Sequence, residues 1–323
     1  MPLISDLDFN PSWIFRSCHC NTVGTAMLRK SPALVLKRQR ITLSDGDFLD
    51  LDCAIQGRDG LAILVHGLEG DAHRPYMLGM AQALQKINLD TLNVNLRGCS
   101  GEVNRLLKTY HSGSTDDLQE VLDFVFENYN YKSIVLLGFS LGGNIVLKYT
   151  GDQASDIDSR IKVSVGISVP CDLTSCAESI REQRNFIYMR RFLSNLSDKV
   201  KAKKHLLTED MDYAQLLSAK SFHDFDHWFT AKVHGFDSAE HYWQTCSSKP
   251  GLSRVAIPTL LLNARDDSFL GDDCYPDEIA KASELFYMMA PEYGGHVGFS
   301  GDNRDGMLWS EYQVSRFVKQ HLD

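Results

Sequence analysis

Residues 136–145 read LLGFSLGGNI, and they continue an apolar run that begins at Ser133-Ile134-Val135. Within them Gly138-Phe139-Ser140-Leu141-Gly142 fits the five-residue pattern G-x-S-x-G. The preceding apolar run reads as a strand ending at Leu137, and the following residues read as a helix starting near Leu141. A serine at such a strand–turn–helix junction occupies a strained backbone, and a Cβ at either flanking glycine would clash. A phosphate-binding loop would need a lysine beside Ser or Thr after its glycines, whereas Lys148 comes too late and inside a helix. The glycine spacing also fails the dinucleotide fingerprint. Two readings of Ser140 remain, a nucleophile pushed out above a sheet and a serine in a tight turn without chemistry.

A nucleophilic serine needs a base to take its proton and an acid to orient that base. Both occur downstream. The run Pro258-Thr259-Leu260-Leu261-Leu262 is followed by Asp266 and Asp267, and the run Leu285 to Ala290 is followed by Gly294-Gly295-His296. Position beyond the strand end and the bulky Phe269 after it favour Asp267 as the acid, with Asp266 bonding loop amides. The anion formed at an attacked carbonyl needs preorganised amide donors. One candidate is the Leu141 amide, next to the serine. The other is Leu68, in the stretch His66-Gly67-Leu68-Glu69-Gly70, where the glycines are expected to permit an unusual turn and His66 to shape the loop.

Working outward, short branched apolar runs alternate with helical patterns, which predicts a mostly parallel sheet with helices on both faces. Residues 33–55 read as an antiparallel pair about the turn Ser44-Asp45-Gly46. A helix is expected over 75–86, opening on Pro75. Another carries Leu118, Val121, Leu122, Val125 and Phe126, with Ser114 as cap and Asp116 in its first turn. A third carries Val314, Phe317, Val318 and Leu322. From 171 to 250 the alternation stops and the text is helical, charged and aromatic. The expected organisation is an α/β core over 1–170 and 251–323, with a helical cap insertion over 171–250. The large apolar residues of that insertion, Phe186, Ile187, Tyr188, Met189, Phe192, Trp228, Phe229, Tyr242 and Trp243, read as its own core or as the lining of an acyl pocket. Lys199 to His205 reads as a solvated helix face, with contact to an anionic lipid surface as the alternative.

Composition narrows the class. Of 323 residues 43% are hydrophobic and 23% charged, which allows a large core. A net charge of −9 argues against nucleic-acid binding, which depends on clustered cations. No run is long and apolar enough to span a bilayer, and the first fifteen residues lack the basic-then-apolar order of a secretion signal, so a cytoplasmic location is expected. Eight scattered cysteines lack paired zinc spacings or disulfide density, so reduced thiols are the default and Cys18-His19-Cys20 is not read as a metal site.

These motifs together resemble the α/β-hydrolase-fold family that includes the bacterial YheT-like esterases and the mammalian abhydrolase-domain lipid hydrolases. The resemblance rests on HGLEGDAHRPY, NLRGCSGEVNR, TYHSGSTDDL, GFSLGGN, the Asp266-Asp267-Ser268-Phe269 turn and GGHVGF. It places the charge relay on Ser140, Asp267 and His296, and the spacing of 29 residues between the last two (296 − 267) fits it. The segment SCHCNT is similar to a family segment but carries Cys20 and Asn21 in place of Leu and Gln, and Ser268 stands where Pro is usual. By the same resemblance Arg97 ties loops together, with orientation of a substrate carboxylate as the alternative; His111 is read as structural with a functional role as its alternative, His19 as structural, and Cys99 as a small buried residue. The implied activity is hydrolysis of carboxylic esters with short or medium acyl chains, acylglycerols among them, through an acyl-enzyme on Ser140 and without metal or organic cofactor. The partner is thus a small-molecule ester. Rival expectations are a thioesterase or acyltransferase using the same residues, and a ligand-binding module on a hydrolase fold.

Overall fold

The computed structural model describes residues 3–4 and 7–322. The reading of the N-terminus as lacking a secretion signal falls in part on residues outside these ranges. Among the described residues nine strands form one sheet: β1 Leu3–Ile4, β2 Lys37–Thr42, β3 Phe48–Ala54, β4 Gly60–Val65, β5 Leu89–Asn95, β6 Ser133–Phe139, β7 Ile161–Ile167, β8 Thr259–Leu262 and β9 Phe286–Met289. Their spatial order is β1-β9-β8-β7-β6-β4-β5-β3-β2. The β2–β3 and β3–β5 pairs are antiparallel, and the other neighbours run parallel. The expected hairpin is present at one edge, with β2 outermost.

The apolar runs are continuous because both faces of the sheet are covered. Leu61, Ile63, Val65, Ile134 and Leu136 pack into one core, while Ala62, Leu64, Val135, Leu137 and Phe139 of the same two strands pack into another. Helices α1 Cys18–Leu28, α2 Pro75–Lys86, α3 Thr115–Asn128 and α4 Leu141–Gln153 are core elements. Pro75 opens α2, as its fixed φ and missing N–H suit a first helical turn. Leu118, Val121, Leu122 and Val125 form the buried stripe of α3. Ser114 does not cap α3 with its side chain. Its Oγ instead accepts the His111 amide at 3.0 Å, which closes the preceding loop.

Between β7 and β8 the described chain forms helices and turns only, beginning with α5 Leu173–Ile180 and α6 Phe186–Ala202. One of the later turns, Asp226–Thr230, is a π-helix. This insertion has apolar clusters of its own, one around Met189, Leu193, Phe225 and Phe229 and another around Tyr242 and Trp243. Phe186 and Ile187 are exposed rather than part of either. Buried Asn144 of α4 ties the insertion to the core: its Nδ2 donates to the carbonyls of Ser112 and Cys246, and its Oδ1 accepts the Ser248 amide.

The topology sets the site. From β4 the chain moves to β5 on one side and then to β6 on the other, so the crevice beyond the C-terminal ends of β4 and β6 is a switch point of the sheet. Val65 is paired with Gly138, so the loops after the two strands leave the sheet at the same level.

Arg97 follows β5 and is 1% exposed. Its guanidinium binds Asp117 in bidentate fashion, at 2.8 Å from Nε and 2.7 Å from Nη2, while Nη1 reaches Asp45 at 2.8 Å and Asp47 at 3.2 Å. The residue thus ties three segments together. Replacing it by methionine strands buried carboxylates, so Arg97→Met should lose about 3–5 kcal/mol of unfolding free energy. Chemical denaturation checks this, and a loss below about 1 kcal/mol, the level of an exposed ion pair, would contradict it.

Candidate active site

Ser140 sits between the end of β6 and the start of α4 with φ 51° and ψ −121°, a conformation strained for a residue with a Cβ. The glycines make this possible by proximity. A Cβ on Gly138 would collide with the backbone of Gly142 and Gly143, and one on Gly142 would collide with the carbonyls of Val65 and His66. The Ser140 amide is held by the Ile167 carbonyl at 2.8 Å, and its own carbonyl accepts the Asn144 amide at 3.0 Å. Its side chain faces the crevice.

His296 Nε2 lies 2.9 Å from Ser140 Oγ, and His296 Nδ1 lies 2.8 Å from Asp267 Oδ2. A carboxylate on Nδ1 selects the tautomer with the proton there, leaving the Nε2 lone pair toward the serine hydroxyl. Asp267 is fixed in turn, since its Oδ1 accepts the Phe269 amide at 3.0 Å. The Phe269 ring stacks on the imidazole with centroids 4.3 Å apart. Asp266 turns the other way, with Oδ1 accepting the Gly295 amide at 2.8 Å, and burial pushes its carboxyl up to about 6. Ser140, Asp267 and His296 are therefore brought together, and Asp266 is not part of the chain of contacts.

The loop after β4 is braced against the serine. Gly70 N donates to Gly67 O at 2.9 Å, which closes a turn with Leu68 and Glu69 at its centre. The expectation that the glycines supply its unusual backbone is corrected here, because the left-handed residue is Glu69, at φ 54°. Gly67 and Gly70 provide space instead. A Cβ on Gly67 would approach Ser140 Cβ to 3.0 Å, and one on Gly70 would meet the Tyr76 hydroxyl at 2.7 Å. Among the described residues, neither the Leu68 amide nor the Leu141 amide donates to a protein acceptor. Both residues line the same pocket as Ser140 and His296.

His66 is fully buried behind that loop. Its Nε2 accepts the Leu96 amide at 3.1 Å, so Nδ1 carries the proton and donates to the Gly67 carbonyl at 2.8 Å. Burial lowers this histidine to about 4. His111 is likewise lowered to about 4 by burial, packed edge-on against His234.

Thr22 and Ser168 were not singled out in the sequence, and Asn21 stood out only as a departure from the family segment. Thr22 Oγ1, on α1, accepts the His296 amide at 2.8 Å, and Asn21 Oδ1 accepts the Ser300 amide at 2.9 Å, so α1 clamps the histidine loop from both ends. Ser168, in the left-handed region at φ 53°, accepts the Val297 amide with its Oγ at 2.9 Å. The segment SCHCNT was the signal for α1; nothing local marks Ser168. His19 joins this helix to the insertion through Tyr188, its Nδ1 lying 3.1 Å from the hydroxyl. Cys99 is half-buried rather than buried, and its Sγ contacts Lys199 Nζ at 3.0 Å.

The pocket over Ser140 is walled mainly by Phe192, Phe222, Phe225, Phe229, Tyr242 and Trp243 of the insertion. Of the residues given two readings, Phe192, Phe229, Tyr242 and Trp243 line the pocket, Phe229 also belonging to the insertion's core, whereas Tyr188, Met189 and Trp228 pack in that core without lining the pocket. Asp226 stands among the lining residues, holding Trp243 Nε1 at 2.9 Å and Thr230 Oγ1 at 2.7 Å, and burial raises its carboxyl to about 6. The basic stretch is not a uniformly solvated face. Lys203 is 2% exposed and donates to the Leu106 carbonyl at 2.7 Å, and Lys199 reaches Glu69 at 2.8 Å. No helix is long and apolar enough to cross a membrane among the described residues.

Residues 62–300 match the family model described as alpha/beta hydrolase fold, and the chain belongs to that family. Its relatives narrow the branch. The chain is 31% identical to "Putative esterase YheT" of Escherichia coli (strain K12), across 99% of this chain and 95% of that protein. It is 27% identical to Phospholipase ABHD3 of Mus musculus, across 92% of this chain and 74% of that protein. With Monoacylglycerol lipase of Saccharomyces cerevisiae it shares 26% identity over 80% of this chain and 59% of that protein. Among solved structures, the esterase Pf2001 of Pyrococcus furiosus superposes with a TM-score of 0.60 at 16% identity, covering 91% of this chain and 100% of that one, a likeness of fold.

The buried His66 gives a test with a definite sign. The folded state keeps it neutral down to about 4, whereas its ordinary value is 6.5, so between these values the unfolded chain binds a proton that the folded chain refuses. Stability contributed at this residue is therefore complete above the ordinary value and is lost as pH falls toward the folded one. His66→Gln lacks the titration. Its deficit relative to wild type should be largest near about pH 7 and narrow by about 3 kcal/mol by about pH 4. Denaturation curves at both pH values check this, and a constant deficit would contradict it.

Proposed function

We propose that the protein is a serine hydrolase that cleaves carboxylic esters through an acyl-enzyme on Ser140. The observation that carries the reading is the unbroken chain Ser140 Oγ to His296 Nε2 at 2.9 Å and His296 Nδ1 to Asp267 Oδ2 at 2.8 Å, beside two amides without acceptors. In the first step His296 Nε2 takes the Ser140 proton as Oγ attacks the ester carbonyl. Asp267 holds the imidazole in its tautomer and balances the imidazolium charge. The Leu68 and Leu141 amides receive the oxyanion, a contribution of about 3–4 kcal/mol per donor in comparable sites. His296 then gives its proton to the departing alcohol. In the second step it takes a proton from water as the water oxygen attacks the acyl carbon, and it returns that proton to Ser140 Oγ as the acyl–oxygen bond breaks and the acid leaves.

The helical insertion acts as a cap over this site. Its aromatic wall supports an acyl chain of short or medium length as the occupant, and relatives named as a phospholipase and a monoacylglycerol lipase support glycerol esters as the class.

Purified chain should hydrolyse p-nitrophenyl acetate and butyrate. Ser140→Ala should lower kcat by about 10⁴-fold or more, leaving the residual rate that binding and oxyanion donors alone supply. Steady-state kinetics checks this, and turnover unchanged by the substitution would sink the assignment.

A further inference from the structure

A partly buried polar cluster beside the oxyanion loop takes no part in proton transfer. Glu69 directly follows Leu68, and as the second central residue of the Gly67–Gly70 turn its φ of 54° fixes the hand of that turn. A left-handed non-glycine residue is strained, and it persists only where its surroundings hold it. The Glu69 amide donates to the Tyr110 hydroxyl at 2.9 Å, and the same hydroxyl donates to Glu69 Oε1 at 2.5 Å. The Glu69 carbonyl accepts Arg74 Nη2 at 3.0 Å. These three contacts come from the core.

The fourth comes from the insertion. Lys199, on α6, places Nζ 2.8 Å from Glu69 Oε1 and 4.6 Å from the centre of the Tyr110 ring. Their side chains are 22% and 8% exposed, so solvent screens this pair far less than it would a surface pair. One helical turn further on, Lys203 Nζ donates to the carbonyls of Leu106 and Lys108 at 2.7 and 3.2 Å, which fixes the register of α6 against the core. Lys199 therefore meets the oxyanion loop at a set position. Because Glu69 already neutralises it, Lys199 is not a free cation waiting for an anionic substrate group.

We propose that Lys199 is a positioning residue through which the helical insertion sets the oxyanion loop, so that the Leu68 amide is aimed at the reacting carbonyl only while the insertion is seated. The inference rests on the ester-hydrolase reading of the site. Without the lysine charge, the strained Glu69 loses one of its four holds and the turn can relax toward negative φ. Such relaxation rotates the peptide that joins Leu68 to Glu69, and because the turn is closed between Gly67 and Gly70 the change is taken up at the adjoining Gly67–Leu68 peptide, which carries the donating Leu68 N–H. The loss falls on the transition state, where the oxyanion exists, more than on the bound ester.

The experiment is steady-state hydrolysis of p-nitrophenyl butyrate by the full chain carrying Lys199→Met, Lys199→Arg, Glu69→Gln or the Met and Gln changes together, with thermal melting to confirm folding. Lys199→Met should lower kcat by about 10-fold, short of the 10²–10³-fold cost of deleting a donor outright, with KM within about threefold of wild type. Lys199→Arg, which keeps the charge, should recover kcat to within about threefold. Glu69→Gln should reproduce the kcat loss, and the double variant should be no worse than either single one, as expected of partners in one contact. A folded Lys199→Met with wild-type kcat, a loss confined to KM, or additive losses in the double variant would overturn the inference. Should Lys199→Met not fold, an unchanged kcat in Glu69→Gln would overturn it. A wild-type chain without Ser140-dependent turnover would overturn the hydrolase reading itself, an outcome distinct from a Ser140-dependent enzyme indifferent to Lys199.

Discussion

The parallel pairing of β4 with β6, with Val65 opposite Gly138, sets the start of α4 against the end of β4 more closely than a side chain at position 142 allows, and the site is built around that approach. Helix α4 starts directly against the carbonyls of Val65 and His66, a contact open only to glycine at 142. The serine turn, the loop that carries Leu68 and the start of α4 are therefore parts of one close-packed junction. Packing at that density leaves little room for independent adjustment. His66 closes the junction from beneath, buried and neutral, with one ring nitrogen on each side used.

Around this junction the remaining groups are brought in from distant parts of the chain. Asp267 follows β8 and His296 follows β9, two strands that pair with each other but not with β6. The reach back to Ser140 is made by long loops, and loops need support. That support comes from α1 through Thr22 and Asn21, from Ser168 at the end of β7, and from Phe269 against the imidazole. The insertion adds a second layer: Asn144 secures its far end to α4, and Lys203 and Lys199 secure α6 to the loops after β5 and β4.

Much of this was legible in the residues themselves. Period and branching marked the buried strands, because a sheet covered on both faces requires unbroken apolar runs. The order of serine, acid and histidine at three strand ends pointed to residues that the structure brings within hydrogen-bonding distance. What was not legible depended on the third dimension. Lys199 and Lys203 read as part of a solvated face because charge in sequence does not reveal which side of a helix meets a carboxylate or a row of carbonyls. Glu69 was passed over because the strain in its turn was assigned to the adjacent glycines, which serve spacing instead. Ser114 read as a helix cap, yet its hydroxyl is used by the loop before the helix. Asp226 lay among aromatic residues with no local sign that burial would raise its carboxyl to about 6.

The central claim is that Ser140 is a nucleophile activated by His296. Reaction of the purified chain with a fluorophosphonate, followed by peptide mass spectrometry, tests it most directly. The account predicts a single phosphonylated site at Ser140, with labelling slowed severely in His296→Ala. Absence of labelling, labelling at another residue, or labelling of Ser140 at an unchanged rate without His296 would contradict it.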